Sequence, residues 1–316
     1  MAVDLNTRQL RYFVALAEDL HFTKAAARLF VAQQSLSTQI RQLEERVGVQ
    51  LLRRTTRRVE LTAAGEVFLA EARATLAAFD GGVNAAQCVQ RNEAGTLSLG
   101  FMVSAALELT APILSEFSRR FPQINVDLHE YDYSDPTVGL LKEAVDIGFV
   151  RPPIEGVELN YEELFSEPRV LCVGDSHPLA DRESVTVAEV MAVEEPMILP
   201  RCPDSAWVAF WNLDEYRGGP ETNVSFHTAT LLEELEAIAL GKPCVMISAL
   251  AVERYAPRPG VRFIPVTDLS GSVVTVAWRQ DRETDLVRAF VETAIDVRDR
   301  ETEIVRMIES RELTGG

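Results

Sequence analysis

Residues 7–65 read TRQLRYFVALAEDLHFTKAAARLFVAQQSLSTQIRQLEERVGVQLLRRTTRRVELTAAG. Apolar residues recur there at helical spacing three times: Leu10, Phe13, Val14 and Ala17; Ala26, Leu29 and Phe30; Leu36, Ile40, Leu43 and Val47. The spacing predicts three helices, with Thr23 as N-cap of the second and Gly48 as the glycine that ends the third. LLRRTTRRVELT then alternates and holds β-branched residues, which suits a two-stranded wing. The polar face of the third helix carries Gln33, Gln34, Ser35, Thr38, Gln39 and Arg41. Side chains of these kinds reach base edges and phosphates in a DNA major groove. Gln33 suits bidentate reading of adenine, and Thr38 a base or a thymine methyl. Ser35, Arg53, Arg54 and Arg57 suit phosphates, which position a protein without specifying sequence, and Thr23 and Gln34 complete the candidate DNA contacts. A helical hairpin packed inside an ordinary α-domain is the plain alternative, but it leaves the RRTTRR wing without a role.

Charge supports the first reading once it is divided along the chain. The net charge of the 316 residues is −17. Residues 1–62 hold ten Lys/Arg against six Asp/Glu, which leaves 21 against 42 for the remainder. Counterion release depends on the local cations, so a mildly basic head can bind DNA while an acidic body is repelled by it.

Thr62 caps a long helical stretch from about Ala63 to Gln90, some 28 residues and ~42 Å. Its apolar set includes Val67, Phe68, Leu76 and Phe79. A linker near 91–95 follows. Beyond it, LSLGF, INVDLHE and DIGFV read as strands, with helices expected over 106–120 and 136–144 between them. This β-α-β-α-β order implies an α/β domain with parallel sheet. RVLCVG, MILP, NVSFH, PCVMIS, VRFIPV and VVTVAWR supply later strands, with helices over 207–216, 231–240 and 285–312.

The phrases LRYFVALAEDLHFTKAAARL and AQQSLSTQIRQLEERVGVQLLRRTTRRVELTAAG resemble the LysR-type transcriptional regulators. The resemblance covers nearly all of the first 65 residues, and the rest of the chain more loosely. It implies an all-α winged helix-turn-helix domain over 1–62, a linker helix over 63–91 that pairs with a second copy, and an effector-binding domain over 92–316. That last domain is expected to be α/β and periplasmic-binding-protein-like. Its lobe I would span about 95–165 and 268–300, its lobe II about 166–267, with crossings near 165–167 and 266–268. Implied partners are double-stranded DNA with an inverted repeat, a small-molecule effector, further copies in a homodimer or homotetramer, and RNA polymerase. Two positions depart from the family pattern: Gln34, where many members carry proline, and Thr38, where many carry arginine or lysine.

The resemblance also places an effector pocket. Ser104 precedes one expected helix, Cys202 and Pro203 stand before a second, and Thr228 before a third. Three helix N-termini converging on a cleft would hold a small anion, although Ser104 and Thr228 could equally be plain N-caps. VDLHEYDYSD, DIGFVRPP and VGDSHPLA resemble the members that control degradation of aromatic acids and catechol, which respond to small carboxylates. On that pattern Tyr133 faces the cleft and Arg151 lies near its hinge, as an effector contact or as a surface salt bridge. Cys202 carries a second reading, a peroxide-sensing thiol, with the next cysteine 42 positions on at Cys244.

Other classes find little support. The four cysteines are scattered and do not cluster with the four histidines, so no metal or cofactor is expected. No run of 18 apolar residues and no signal region occurs, which points to the cytoplasm and away from membranes. G-x-S-x-G, P-loop, G-x-G-x-x-G and H-E-x-x-H patterns are absent, so an enzyme is not expected. The carboxylate runs Glu194–Glu195 and Glu233–Glu234–Glu236 read as solvated faces. A DNA-binding protein that has lost its ligand remains the further alternative.

Overall fold

The computed structural model describes residues 5–54, 58–93, 95–103, 105–155, 158–220 and 223–310. The chain divides into two compact units, Met1–Asn84 and Ala85–Gly316.

The first unit is built from α1 (Thr7–Asp19), α2 (Phe22–Arg28), α3 (Gln33–Val47), the antiparallel pair β1 (Leu52–Arg54) and β2 (Val59–Leu61), and the start of α4 (Ala63–Glu93). Leu10, Phe13 and Leu16 of α1 meet Ala25 and Ala26 of α2 and Leu36, Ile40 and Leu43 of α3 in one buried cluster. From α4, Ala72 and Leu76 join that cluster, and the ring of Phe68 sits edge-on to Phe13 at 5.2 Å. α2 begins two residues earlier than expected, because His21 is its N-cap and accepts from the Lys24 N–H; Thr23 lies inside the helix. Gly48 ends α3 in the left-handed conformation, as its position predicts. Phe30, expected on the apolar face of α2, is instead 96% exposed, in a turn that takes it to φ 55°.

In the second unit the order is β3 (Thr96–Phe101), a 3-10 turn Leu107–Leu109, α5 (Thr110–Arg120), β4 (Asn125–Glu130), β5 (Ile147–Val150), β6 (Leu159–Glu167), β7 (Arg169–Gly174), α6 (Val187–Met191), β8 (Met197–Pro200), α7 (Ser205–Asn212), α8 (Asp214–Arg217), β9 (Val224–Thr228), α9 (Leu231–Ala239), β10 (Met246–Ala249), α10 (Val252–Tyr255), β11 (Val261–Pro265), β12 (Ser272–Arg279), α11 (Asp285–Arg300) and α12 (Thr302–Glu309). One sheet runs β4-β3-β5-β12-β6. Its first three strands are parallel, as the β-α-β order implies, while β12 is antiparallel to both neighbours. A second sheet, β10-β7-β11, is wholly antiparallel, with the parallel pair β8-β9 beside it. Each sheet has its own core, so the unit has two lobes. The chain passes between them at Pro168 and again between Pro265 and Ser272.

Two elements differ from expectation. Residues 136–144 form successive turns rather than a helix, with Val138, Gly139 and Glu143 at positive φ. The turns lie flat on the sheet because β3 and β5 present glycines beneath them. A Cβ on Gly100 would stand 2.0 Å from the Val138 carbonyl oxygen, and one on Gly148 2.5 Å from the Val138 side chain. β6 carries Glu162 and Glu163 on exposed positions of an edge strand, which hid it in the sequence.

Candidate functional sites: a nucleic-acid face and an interlobe cavity

Gln33, Gln34, Ser35 and Thr38 are all exposed on α3, and Thr23 and Arg53 are exposed beside them. The Thr23 hydroxyl donates to Gln33 Oε1 at 3.2 Å, which steadies the glutamine expected to read a base. The Thr38 hydroxyl donates to the Gln34 carbonyl at 2.9 Å, so its methyl and its free lone pair are what remain for a ligand. A surface cleft next to Ser35 is lined by Arg8 and Tyr12, two DNA-face candidates that the sequence reading missed.

Arg54 departs from its expected role on a phosphate. It pairs with Glu44 at 2.6 Å and lies over the Phe22 ring. Glu44 also accepts the Leu51 and Leu52 N–H groups, each at 3.0 Å. Glu44 and Arg54 therefore fasten the wing to α3, and Arg53, on the other side of β1, stays exposed. Arg57 lies outside the described residues.

In the second unit a cavity of about 70 Å³ opens between the lobes. Met102, Leu107 and Phe149 line it from one lobe, and Trp207, Trp211 and Ile247 from the other. The polar groups on its wall include Arg151, Tyr133, Ser248 and Glu234. Among the described lining residues Arg151 is the only cation. Its guanidinium binds the fully buried Glu167 and donates to Ser272 Oγ at 2.9 Å. Glu167 also accepts the Ala251 N–H at 2.8 Å. Arg151 is therefore ion-paired, as one of its two readings expects, but to a buried carboxylate rather than at the surface, and the guanidinium keeps further N–H groups beyond those two bonds.

The expected ring of three helix N-termini is not what surrounds this cavity. α5 starts only at Thr110, after the 3-10 turn, and Ser104 lies outside the described residues. The N-terminus of α7 is occupied by Asp204, which accepts the Trp207 N–H at 2.9 Å, and neither Cys202 nor Pro203 lines the cavity. The cap of α9 is Thr230, not Thr228. Thr228 is buried, and its hydroxyl reaches Glu234 Oε1 at 3.0 Å.

Glu234 is the other correction: it is 5% exposed rather than solvated, whereas Glu233 and Glu236 beside it are exposed. The Tyr133 hydroxyl donates to Glu234 Oε2 at 2.9 Å, and burial pushes the carboxyl up to about 8. Its place at i+3 from Leu231 and i−4 from Ile238, both buried, was the available signal.

Two family models match these two units. Residues 7–66 match the bacterial regulatory helix-turn-helix protein, LysR family, and residues 90–299 the LysR substrate binding domain. The chain belongs to the LysR family. Its curated relatives include the HTH-type transcriptional regulator AlsR of Bacillus subtilis, 45% identical over 290 residues, 91% of this chain and 94% of that protein. They also include the DNA-binding transcriptional dual regulator OxyR of Escherichia coli, 30% identical over 263 residues, 83% and 85% of the two chains. Full-length BenM has the same fold, with TM-score 0.53 and 26% identity over 94% of this chain and 98% of that one. The protein is thus a DNA-binding transcriptional regulator with an effector-binding domain, and its relatives are regulators rather than enzymes. No described helix is long and apolar enough to cross a membrane.

For this LysR-type chain the peroxide reading of Cys202 meets a physical obstacle. Desolvation pushes its thiol up to about 11, so the nucleophilic thiolate is scarce near neutrality. Cys172, Cys202 and Cys244 are all free, and the Cys88 side chain lies outside the described residues. Hydrogen peroxide is expected to leave the mobility of the DNA complex unchanged, in wild type and in Cys202→Ser alike. An oxidant-dependent shift that Cys202→Ser removes would reinstate the redox reading.

Proposed function

We propose that this regulator acts in the cytoplasm as a homodimer or homotetramer on an inverted repeat in promoter DNA, where RNA polymerase is a further partner, and that a small organic carboxylate, of the kind aromatic-acid degradation yields, sets its response. The carrying observation is the interlobe cavity: apolar and aromatic walls around Arg151, the single cation among the described lining residues. Such a wall suits an apolar body bearing one charged group. Exposed Val67, Phe79 and Val83 on α4 supply an apolar face for a second copy. The effector must bind two arrangements of the protein unequally, since equal affinity would switch nothing.

A thermal-shift screen of the purified protein against small carboxylates tests the cavity. A ligand at 100 times its dissociation constant should add about 2.7 kcal/mol to the domain that binds it. The gain should shrink in Arg151→Gln; no shift with any acid would remove the carboxylate from the reading. On the DNA side, Gln33→Ala should weaken operator binding by about 1–3 kcal/mol and relax sequence preference at one base pair, because a base contact is lost. Equal weakening on operator and random duplex would instead make Gln33 a phosphate contact.

A further inference from the structure

Glu234 is a buried carboxyl in a ligand cavity, and no salt bridge reaches it among the described residues. The groups around it come from several elements. Glu233 precedes it on α9 and adds negative charge. β7 brings the buried thiol of Cys172, β9 the hydroxyl of Thr228, and the segment after β4 the hydroxyl of Tyr133. Across the cavity, Arg151 is held by Glu167. A buried carboxylate with two hydroxyl donors and no paired cation is costly, and the proton is the cheapest neutraliser.

Hydrogen-bond geometry agrees with a neutral group. Thr228 Oγ1 lies 3.0 Å from Glu234 Oε1 and 3.4 Å from the Leu199 carbonyl oxygen. A hydroxyl has one proton to give. If Glu234 carries its own proton on Oε1, it donates to Thr228 Oγ1, Thr228 donates to Leu199, and Tyr133 donates to Oε2. If Glu234 is ionised, Thr228 must turn to it and the Leu199 carbonyl loses that donor.

We propose that Glu234 is a specificity-determining residue of the cavity: as a neutral carboxyl it admits one ligand carboxylate, at Arg151, and excludes a second. This rests on the reading of the cavity as the effector site. Among its described residues the wall offers one cation, already shared with Glu167. A monocarboxylate brings the cavity to a single net negative charge. A dicarboxylate brings a second anion with no cation to meet it, or displaces it towards Glu234. Ionisation of Glu234 puts the same penalty on a monocarboxylate. Affinity for a monocarboxylate is therefore strongest while Glu234 is protonated and falls as pH rises through about 8.

Matched pairs of probes separate these outcomes on the full-length protein: propionate and succinate, benzoate and phthalate, sorbate and cis,cis-muconate. Each is titrated calorimetrically at about pH 6.5 and about pH 9, against wild type and Glu234→Gln. Gln copies the neutral form, since its amide N–H can donate to Thr228 while its oxygen accepts from Tyr133. In at least one pair the monoacid should bind about tenfold or more tightly than the diacid, a difference of about 1.4 kcal/mol. Its affinity for wild type should fall about tenfold at the higher pH, one unit of titration beyond the carboxyl. Glu234→Gln should keep the affinity seen at the lower pH and carry it to the higher one.

Tighter binding of the diacid overturns the proposal. So does tenfold tighter monoacid binding by Glu234→Gln at the lower pH, which would mean that the carboxyl had been charged. Loss of monoacid binding in a folded Glu234→Gln also overturns it. If no probe binds at all, the carboxylate reading of the cavity falls and takes this proposal with it. The protonation state has its own readout: the carbonyl stretch of a protonated carboxyl in infrared difference spectra between wild type and Glu234→Gln. If that band is absent at the lower pH, the inference fails alone and the cavity keeps its effector role.

Discussion

Glu167→Ala is expected to destabilise the effector domain by about 3–5 kcal/mol, the cost of leaving a largely buried charge without its partner. Glu167 is 1% exposed and stands at the end of β6, one residue before the first crossing between the lobes. Its carboxylate holds the Arg151 guanidinium and the Ala251 N–H at once. Arg151 in turn donates to Ser272, at the end of the second crossing. On the far side of Pro168, Arg169 is buried and donates to the Ser270 carbonyl at 2.8 Å and the Phe210 carbonyl at 2.8 Å. The two crossing strands are therefore laced by two arginines, and among the described residues only Glu167 neutralises the first. All three tryptophans, Trp207, Trp211 and Trp278, lie in the second unit, so urea unfolding followed by tryptophan fluorescence reports that unit. Arg151→Ala combined with Glu167→Ala should be less destabilised than Glu167→Ala alone, because no orphan charge remains. A loss under about 1 kcal/mol in Glu167→Ala would show that the pair does not anchor the crossing.

The N-terminal unit was readable because its helices are short-range objects with strong periodicity. Leu36, Ile40 and Leu43 fall on one stripe of α3, so the polar face that carries Gln33, Gln34, Ser35 and Thr38 follows. What sequence could not supply there was Glu44, whose role depends on the wing folding back to it eight to ten residues later. The same limit applies to the cavity. Tyr133 and Arg151 were placed by resemblance, and both line it. The partners of Glu167 and Glu234 are distant, Ala251 for one and Tyr133 across 101 positions for the other, and no local pattern shows them. The turns over 136–144 lie close against Gly100 and Gly148 on neighbouring strands, contacts invisible to a local pattern. Glu234 was recoverable, since it lies between Leu231 and Ile238 on the apolar stripe of α9. Phase around α9, rather than the run of glutamates, marks Glu234 as buried.

Burial of Glu234 should also make the effector domain lose stability as pH rises. Its carboxyl shifts from 4.5 to about 8 on folding, so between those values the folded state keeps a proton that the unfolded chain has released. Stability from this group is complete below about 4.5, declines across the interval, and is lost above about 8. Each pH unit in that window is worth about 1.4 kcal/mol, which makes the whole effect on the order of 5 kcal/mol. The direction is opposite to that of a carboxylate held by an arginine, whose contribution grows as pH rises. Glu234→Gln has no proton to lose, so its stability should lack this slope. The measurement is the urea midpoint, by tryptophan fluorescence, of wild type and Glu234→Gln at steps from about pH 5 to about pH 9. Taking the difference between the two proteins removes the other titrating groups they share. Wild type should be at its best relative to the variant at the acid end and should fall steadily against it towards the alkaline end. Parallel profiles would mean that the carboxyl ionises at the same pH in the folded and the unfolded chain. The neutral group on which the proposed selectivity depends would then not exist. A falling difference, with no ligand present, would place the proton on Glu234 before any effector arrives.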